Sequence, residues 1–261
     1  MEEKIIKIAI CDNNVGSVGT TKQVIEELFA QPELIKAVIA CDLSIYCKGE
    51  DLINSEGGYD IIIQDLNFGE GLMGGYDVAR WVNLNYEVEP LIIILTSQTD
   101  RAAESYDFDI RAFSFIEKRG NNSRKVGEVV LKAVREIIDT CGVVVKVVNN
   151  GDKFFRPSEV RYIQKDGNET NVYVANGAAY PTTLTLDEWL EILPKFQFLR
   201  THKSNIVNLD YIVGFSRDKK KVILKGQHAN EIVKATKNKF QEFTAIILSH
   251  EKYLARSRRV E

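Results

Sequence analysis

Six residues stand just past four apolar runs, and their types fit one chemistry. IKIAICDN ends on Asp12 and Asn13, YDIIIQDLN on Asp65 and Asn67, LIIILT on Thr96 and AFSFIEK on Lys118. Paired carboxylates beside neutral oxygen donors are hard ligands of the kind that bind Mg2+. A cation so held neutralises an incoming phosphoryl group. A hydroxyl such as Thr96 donates a hydrogen bond to a phosphoryl oxygen, and an ammonium such as Lys118 pairs with its charge. Asp65 would be the group that reacts. Taken alone, Asp12 would serve equally well as a helix cap or turn residue. Delivery of all these groups to one place is what makes them a site.

That delivery asks for a particular frame. Residues 5–10, 37–40, 59–64, 91–95 and 112–116 read as strands, and 15–29, 44–55, 75–85, 101–106 and 123–140 carry helical spacing. Five β–α repeats with short connections predict a doubly wound parallel sheet of five strands. Strands buried on both faces read as continuous apolar runs, as these do. The crevice of such a sheet lies beyond the carboxyl ends of its strands, where the six polar residues stand.

This half resembles the receiver domain of bacterial response regulators, a flavodoxin-like α/β fold, over about residues 4–140. The resemblance implies that Asp65 is the phospho-acceptor and that Mg2+ sits on Asp12, Asp65, the main-chain carbonyl of Asn67 and the position of Asn13. It makes Thr96 and Lys118 the switch hydroxyl and phosphate-pairing lysine, and Phe115 the aromatic switch residue. The chain departs from the pattern in three places. Asn13 stands where the family has a second adjacent acid, Lys118 is followed by Arg119 rather than proline, and the loop LNFGEGLMGG is long and lacks proline. The long loop resembles receivers of peptide-pheromone regulators in Gram-positive bacteria.

The composition changes after residue 140. Residues 1–140 hold 14 Lys+Arg against 24 Asp+Glu, a net −10, and residues 141–261 hold the other 20 against 13, a net +7; together they give the chain's −3. A basic second half invites a polyanion. Strand-like runs at 143–148, 153–156, 160–164, 171–175 and 179–184 are separated by the turn signals NNGD, KDGNET and NG. TLDEWLEIL begins with capping-box spacing at Thr185 and Glu188, and Pro194 ends it. Further strands fall within 198–207, at 212–216 and at 222–224, and residues 234–243 read as a closing helix or turn. A small β-sandwich with one helix is expected, so the fold class is α/β followed by mostly β.

FLRTHKSNIVNLDYI resembles the LytTR (LytR/AlgR-type) DNA-binding domain through Phe198, Arg200, His202, Ser204 and Asn208, within a match over about 143–245. The resemblance implies loops that enter successive major grooves of double-stranded DNA. The facing residues would be Thr170 and Asn171 in one loop, Arg200, His202 and Lys203 in a second, and Lys234 in a third, where arginine is commoner. The basic strings RDKKK and KATKNK and the tail RSRR add phosphate-neutralising charge, although RDKKK alone reads better as a solvated hairpin tip.

The domains expected are a receiver at 1–140, a DNA-binding domain at 143–250 and a basic tail at 251–261. No apolar run approaches the ~20 residues that span a bilayer, and the first residues lack a signal-peptide pattern, so a cytoplasmic protein is expected. The four cysteines lack metal-ligand spacing and are expected as reduced, mostly buried thiols. The leading expectation is a non-enzymatic transcription regulator that is phosphorylated by a sensor histidine kinase and dimerises on direct repeats. Two alternatives stand beside it. In one, Asn13 abolishes phosphorylation and the receiver serves as a dimerisation or ligand module. In the other, the chain is an Mg2+-dependent aspartyl phosphatase, disfavoured because Asn67 occupies the place of its general acid.

Overall fold

A computed structural model describes residues 4–30, 39–68, 73–97, 110–118, 122–216, 221–225 and 231–234. The chain divides into two compact units, Glu2–Ile137 and Ile138–Glu261. The helix expected at 101–106, Arg119, the middle of the glycine-rich loop, most of the RDKKK and KATKNK strings and the basic tail lie outside the described residues.

In the first unit, strands β1 (Lys4–Cys11), β2 (Ile39–Tyr46), β3 (Ile61–Gln64), β4 (Leu91–Thr96) and β5 (Ala112–Glu117) form one sheet in the order β2-β1-β3-β4-β5. Every pairing is parallel. Ile8, Ile10, Ile61, Ile62, Ile63, Ile92, Ile93 and Ile94 are almost fully buried, as strands covered on both faces require. Helices α1 (Val15–Phe29), α2 (Gly49–Ile53), α3 (Gly75–Asn85) and α4 (Ser123–Cys141) connect or follow them. Asn14 caps α1, its side-chain oxygen accepting from the backbone N–H of Ser17.

Residues 44–55 are not a single helix. Each residue from Ile39 to Tyr46 has a partner in β1, so the strand continues through Tyr46 and leaves α2 only Gly49–Ile53. The thiols also differ from expectation. All four are free, yet only Cys11 is buried, while Cys47 and Cys141 are exposed. Burial pushes the Cys11 thiol up to about 12 and Cys41 up to about 11.

The second unit holds a seven-stranded sheet built of β6 (Val143–Val147), β7 (Gly151–Phe155), β8 (Val160–Asp166), β9 (Glu169–Val174), β10 (Ala179–Thr182), β11 (Phe198–His202) and β12 (Asn205–Asn208). Its order is β11-β12-β8-β9-β10-β6-β7, with antiparallel pairing throughout. Asn149 (φ 63°) and Gly151 (φ 71°) turn the β6–β7 hairpin where NNGD predicts it. Helix α5 (Leu186–Ile192) begins with the expected capping box, both arms of which form. Its Trp189, fully buried, packs edge-on against Phe155 and donates its ring N–H to Thr182 Oγ1 at 3.2 Å. A second sheet of β13 (Ile212–Ser216), β14 (Lys221–Leu224) and β15 (Glu231–Lys234) packs against β8 and β12 through Val222, Leu224, Val233, Tyr162 and Val207. These are the two sheets and one α-helix of the expected sandwich.

Candidate acceptor pocket and nucleic-acid interface

Asp12, Asp65, Thr96 and Lys118 sit at or one step past a strand end, joined there by backbone hydrogen bonds between neighbouring strands. Asp12 N–H donates to Tyr46 O at 3.0 Å, Asp65 N–H to Cys11 O at 2.9 Å and Lys118 N–H to Thr96 O at 2.7 Å. The parallel ladders therefore carry these residues to one rim. Lys118 Nζ lies 2.7 Å from Asp12 Oδ2 and 2.8 Å from Asp65 Oδ2, joining residues far apart in sequence. Asp65 Oδ1 accepts from Leu66 N–H at 2.7 Å. Asp12 accepts from Asn14 N–H at 2.9 Å and from Ser17 Oγ at 2.6 Å. Ser17 was not foreseen; nothing in its spacing distinguishes it from an ordinary first-turn serine.

Asp65, at the mouth of the sheet, is only 7% exposed. Leu66 and Phe68 after it are buried, and the start of α3 comes close to its backbone. Gly75 allows that approach. A Cβ there would fall inside van der Waals contact of the Asp65 carbonyl oxygen and Leu66 Cα. Thr96 is buried and pairs in register with Glu117. Phe115 is half-buried and packs against the core cluster that holds Ile92 and Ile94. Asn67 and Asn13 are exposed, and Asn13 Nδ2 donates to Phe68 O at 2.8 Å.

The donor set fits a hard cation. Two buried carboxylates already converge on one ammonium, and the neighbouring amides and carbonyls offer oxygen. Among the described residues no cluster of three or more His, Cys, Asp and Glu side chains gathers.

In the second unit, Arg200 and His202 lie on β11, Lys203 in the turn to β12, and Lys234 at the end of β15. Arg200 pairs with Asp187 on α5 and donates to Lys203 O at 3.0 Å. The backbone N–H of Ser204 donates to His202 Nδ1 at 3.2 Å, and Ser204 Oγ lies 2.7 Å from the same nitrogen. Nδ1 is thus the acceptor, and the ring proton sits on Nε2. Burial, then Lys234 and Lys203, hold the imidazole below its ordinary pKa. Asn208 is fully buried and structural: its amide donates to Pro157 O and Val160 O.

Thr170 and Asn171 are not in a loop. Asp166 pairs with Glu169, which shortens the turn to Gly167-Asn168, with Gly167 at φ 58°, and places both residues in β9. Thr170 is buried, its carbonyl accepting from Thr182 Oγ1, so its side chain does not face solvent. Asn171 is half-buried.

A five-stranded parallel sheet with an acid–lysine pocket at its carboxyl rim, followed by a β-rich unit with a cationic hairpin, defines a class: a receiver-type domain with an output module. Residues 151–248 match the LytTr DNA-binding domain family. The chain is 26% identical over 201 residues to the sensory transduction protein LytT of Oceanobacillus iheyensis, covering 72% of this chain and 79% of that protein. Among solved structures, a LytTr DNA-binding domain from Bacillus cereus is 24% identical over 41% of this chain and 95% of its own, with a TM-score of 0.35. The response regulator DrrB of Thermotoga maritima is 16% identical over 72% of this chain and 70% of its own, with a TM-score of 0.40. Together the LytTr match in the second unit and the receiver-type parallel sheet ahead of it support a DNA-binding response regulator. No described helix is long and apolar enough to cross a membrane.

Proposed function

We propose that this regulator accepts a phosphoryl group on Asp65 from a histidine kinase and that the modification changes its grip on promoter DNA. The observation that carries the proposal is the bridging of Asp12 and Asp65 by Lys118. A buried carboxylate beside an ammonium is the arrangement that stabilises the charge of an acyl phosphate. Asp12 and Asp65, with the Asn67 carbonyl and the Asn13 amide oxygen, would hold Mg2+, which supplies charge neutralisation at the transferring group. Asp65 offers the attacking oxygen, Thr96 donates to the phosphoryl group, and Lys118 shifts from the carboxylate pair towards it. Phe115 and Thr96 on neighbouring strands would pass the change to the sheet face used for homodimerisation.

On this reading the domains run 1–140 and 143–250, with a basic arm at 251–261, and the protein works in the cytoplasm without catalytic turnover of its own. Asn171, Arg200, His202, Lys203 and Lys234 face the duplex, a direct-repeat site, while Thr170 supports the strand beneath. The long loop after Asp65 supports a peptide-pheromone signal. Acetyl phosphate with Mg2+, followed by intact-mass spectrometry, tests the acceptor. One phosphoryl adduct is expected on the wild type and none on Asp65→Asn. An adduct that persists in the variant, or none on either protein, overturns the assignment; in the second case the phosphorylation-independent reading takes its place.

A further inference from the structure

The β11–β12 hairpin carries an irregularity that the DNA-facing residues do not explain. Arg200 pairs with Ile206 and His202 with Asn205, so the register shifts at Thr201, one extra residue on β11. A bulge of this kind re-aims a side chain. Here it turns Thr201 inward, to 2% exposure, where Oγ1 donates to the backbone carbonyl of Lys234 at 3.0 Å. Asn205, equally buried, donates its amide to the same carbonyl at 3.3 Å. Lys234 is the last residue of β15, in the other sheet. Two side-chain donors from one sheet therefore converge on one acceptor at the end of the other.

We infer that Thr201 and Asn205 are positioning residues for DNA recognition: they clamp the end of β15 to the hairpin, fixing Lys234 beside Arg200, His202 and Lys203. The inference rests on the proposed DNA-facing role of those four residues. Neither clamp residue needs to touch DNA. Both groups are buried, and satisfying a carbonyl at a strand end is the ordinary reason to spend a buried donor there. What sets this carbonyl apart is the residue that owns it. Lys234 is exposed, and its charge reaches His202, whose proton affinity it lowers. A free strand end would let that ammonium wander by several ångströms. A clamped one presents cations from two sheets as a single edge with fixed spacing, as readout of a rigid duplex demands.

The test has two arms on the full-length chain. The first needs no DNA. The titration of His202, followed by NMR, should move up towards the ordinary histidine value in Thr201→Val, by about as much as in Lys234→Ala, and should stay put in Thr201→Ser, which keeps the donor. An unmoved His202 in Thr201→Val, with a moved one in Lys234→Ala, overturns the clamp. The second arm uses a duplex recovered from a random pool by the wild-type chain. Thr201→Val should weaken binding about tenfold, and the loss should vanish when Lys234 is already alanine. Full additivity of the two losses, or wild-type binding by Thr201→Val, overturns the inference. If Thr201→Val does not fold, Asn205→Leu, which is close in volume and loses the donor without adding charge, takes its place in both arms with the same expected results. Failure to recover any duplex counts against the DNA-facing reading alone, because the NMR arm still decides the clamp.

Discussion

Asn13 Nδ2 donates a hydrogen bond to the carbonyl oxygen of Phe68 at 2.8 Å, tying the end of β1 to the loop that follows Asp65. An aspartate at the same position has no hydrogen to give. The amide therefore ties that loop to β1 and, on the proposed reading, also withholds a negative charge from the Mg2+ site.

Replacing Asn13 with Asp separates these effects. The charge gained should tighten Mg2+ binding about tenfold, because affinity for a hard cation follows the number of carboxylates around it. The lost hydrogen bond should cost about 1 kcal/mol of stability in metal-free buffer. Calorimetric Mg2+ titration and urea denaturation of the two proteins measure both. Unchanged Mg2+ affinity would show that residue 13 does not face the cation.

Gly75 is the second lever on the acceptor. Its N–H donates to Leu66 O at 3.1 Å, and its own carbonyl accepts from the buried Gln64 side chain. Ala at this position drives a methyl group into the backbone of Asp65 and Leu66. The backbone must shift, at an expected cost of about 1–3 kcal/mol. Acetyl phosphate should label Gly75→Ala far more slowly than the wild type, while DNA binding without phosphorylation survives. Equal labelling would mean that the close approach does not set the acceptor's position.

His202 supplies a pH dependence. Its folded-state pKa lies below the ordinary 6.5, through burial first and then the two lysines. The folded protein thus favours the neutral ring, and the unfolded chain takes up a proton more readily. The contribution to stability is complete above pH 6.5 and is lost as pH falls through the folded-state value. Protonation also sets an N–H against the Ser204 N–H that now donates to Nδ1. Thermal melts between about pH 7.5 and about pH 5 should show the wild type losing more stability than His202→Gln as the solution acidifies. Parallel curves would contradict the assignment of the shift to this residue.

The acceptor pocket was legible in the sequence because parallel strands announce themselves as apolar runs. Asp12, Asp65, Thr96 and Lys118 stand within two residues of the last apolar residue of four of them, and the ladder bonds at the strand ends carry them to one rim. The capping box at Thr185 and the turn at Asn149 to Gly151 were equally local signals. What stayed hidden depends on register. The length of β2 is set by pairing with β1, not by its own composition, and the two-residue turn before Thr170 is set by the partner strand. The Asn13–Phe68 bond and the bulge at Thr201 join residues that no short spacing relates.

The most direct measurement is the affinity of the full-length chain for its selected duplex, with and without beryllofluoride and Mg2+, on the wild type and on Asp65→Asn. Beryllofluoride on Asp65 should draw Lys118 away from the Asp12–Asp65 pair and tighten wild-type binding about tenfold, a coupling of ordinary size, while leaving Asp65→Asn unmoved. Equal wild-type affinity in both conditions, or the same shift in Asp65→Asn, would contradict control of DNA binding through Asp65.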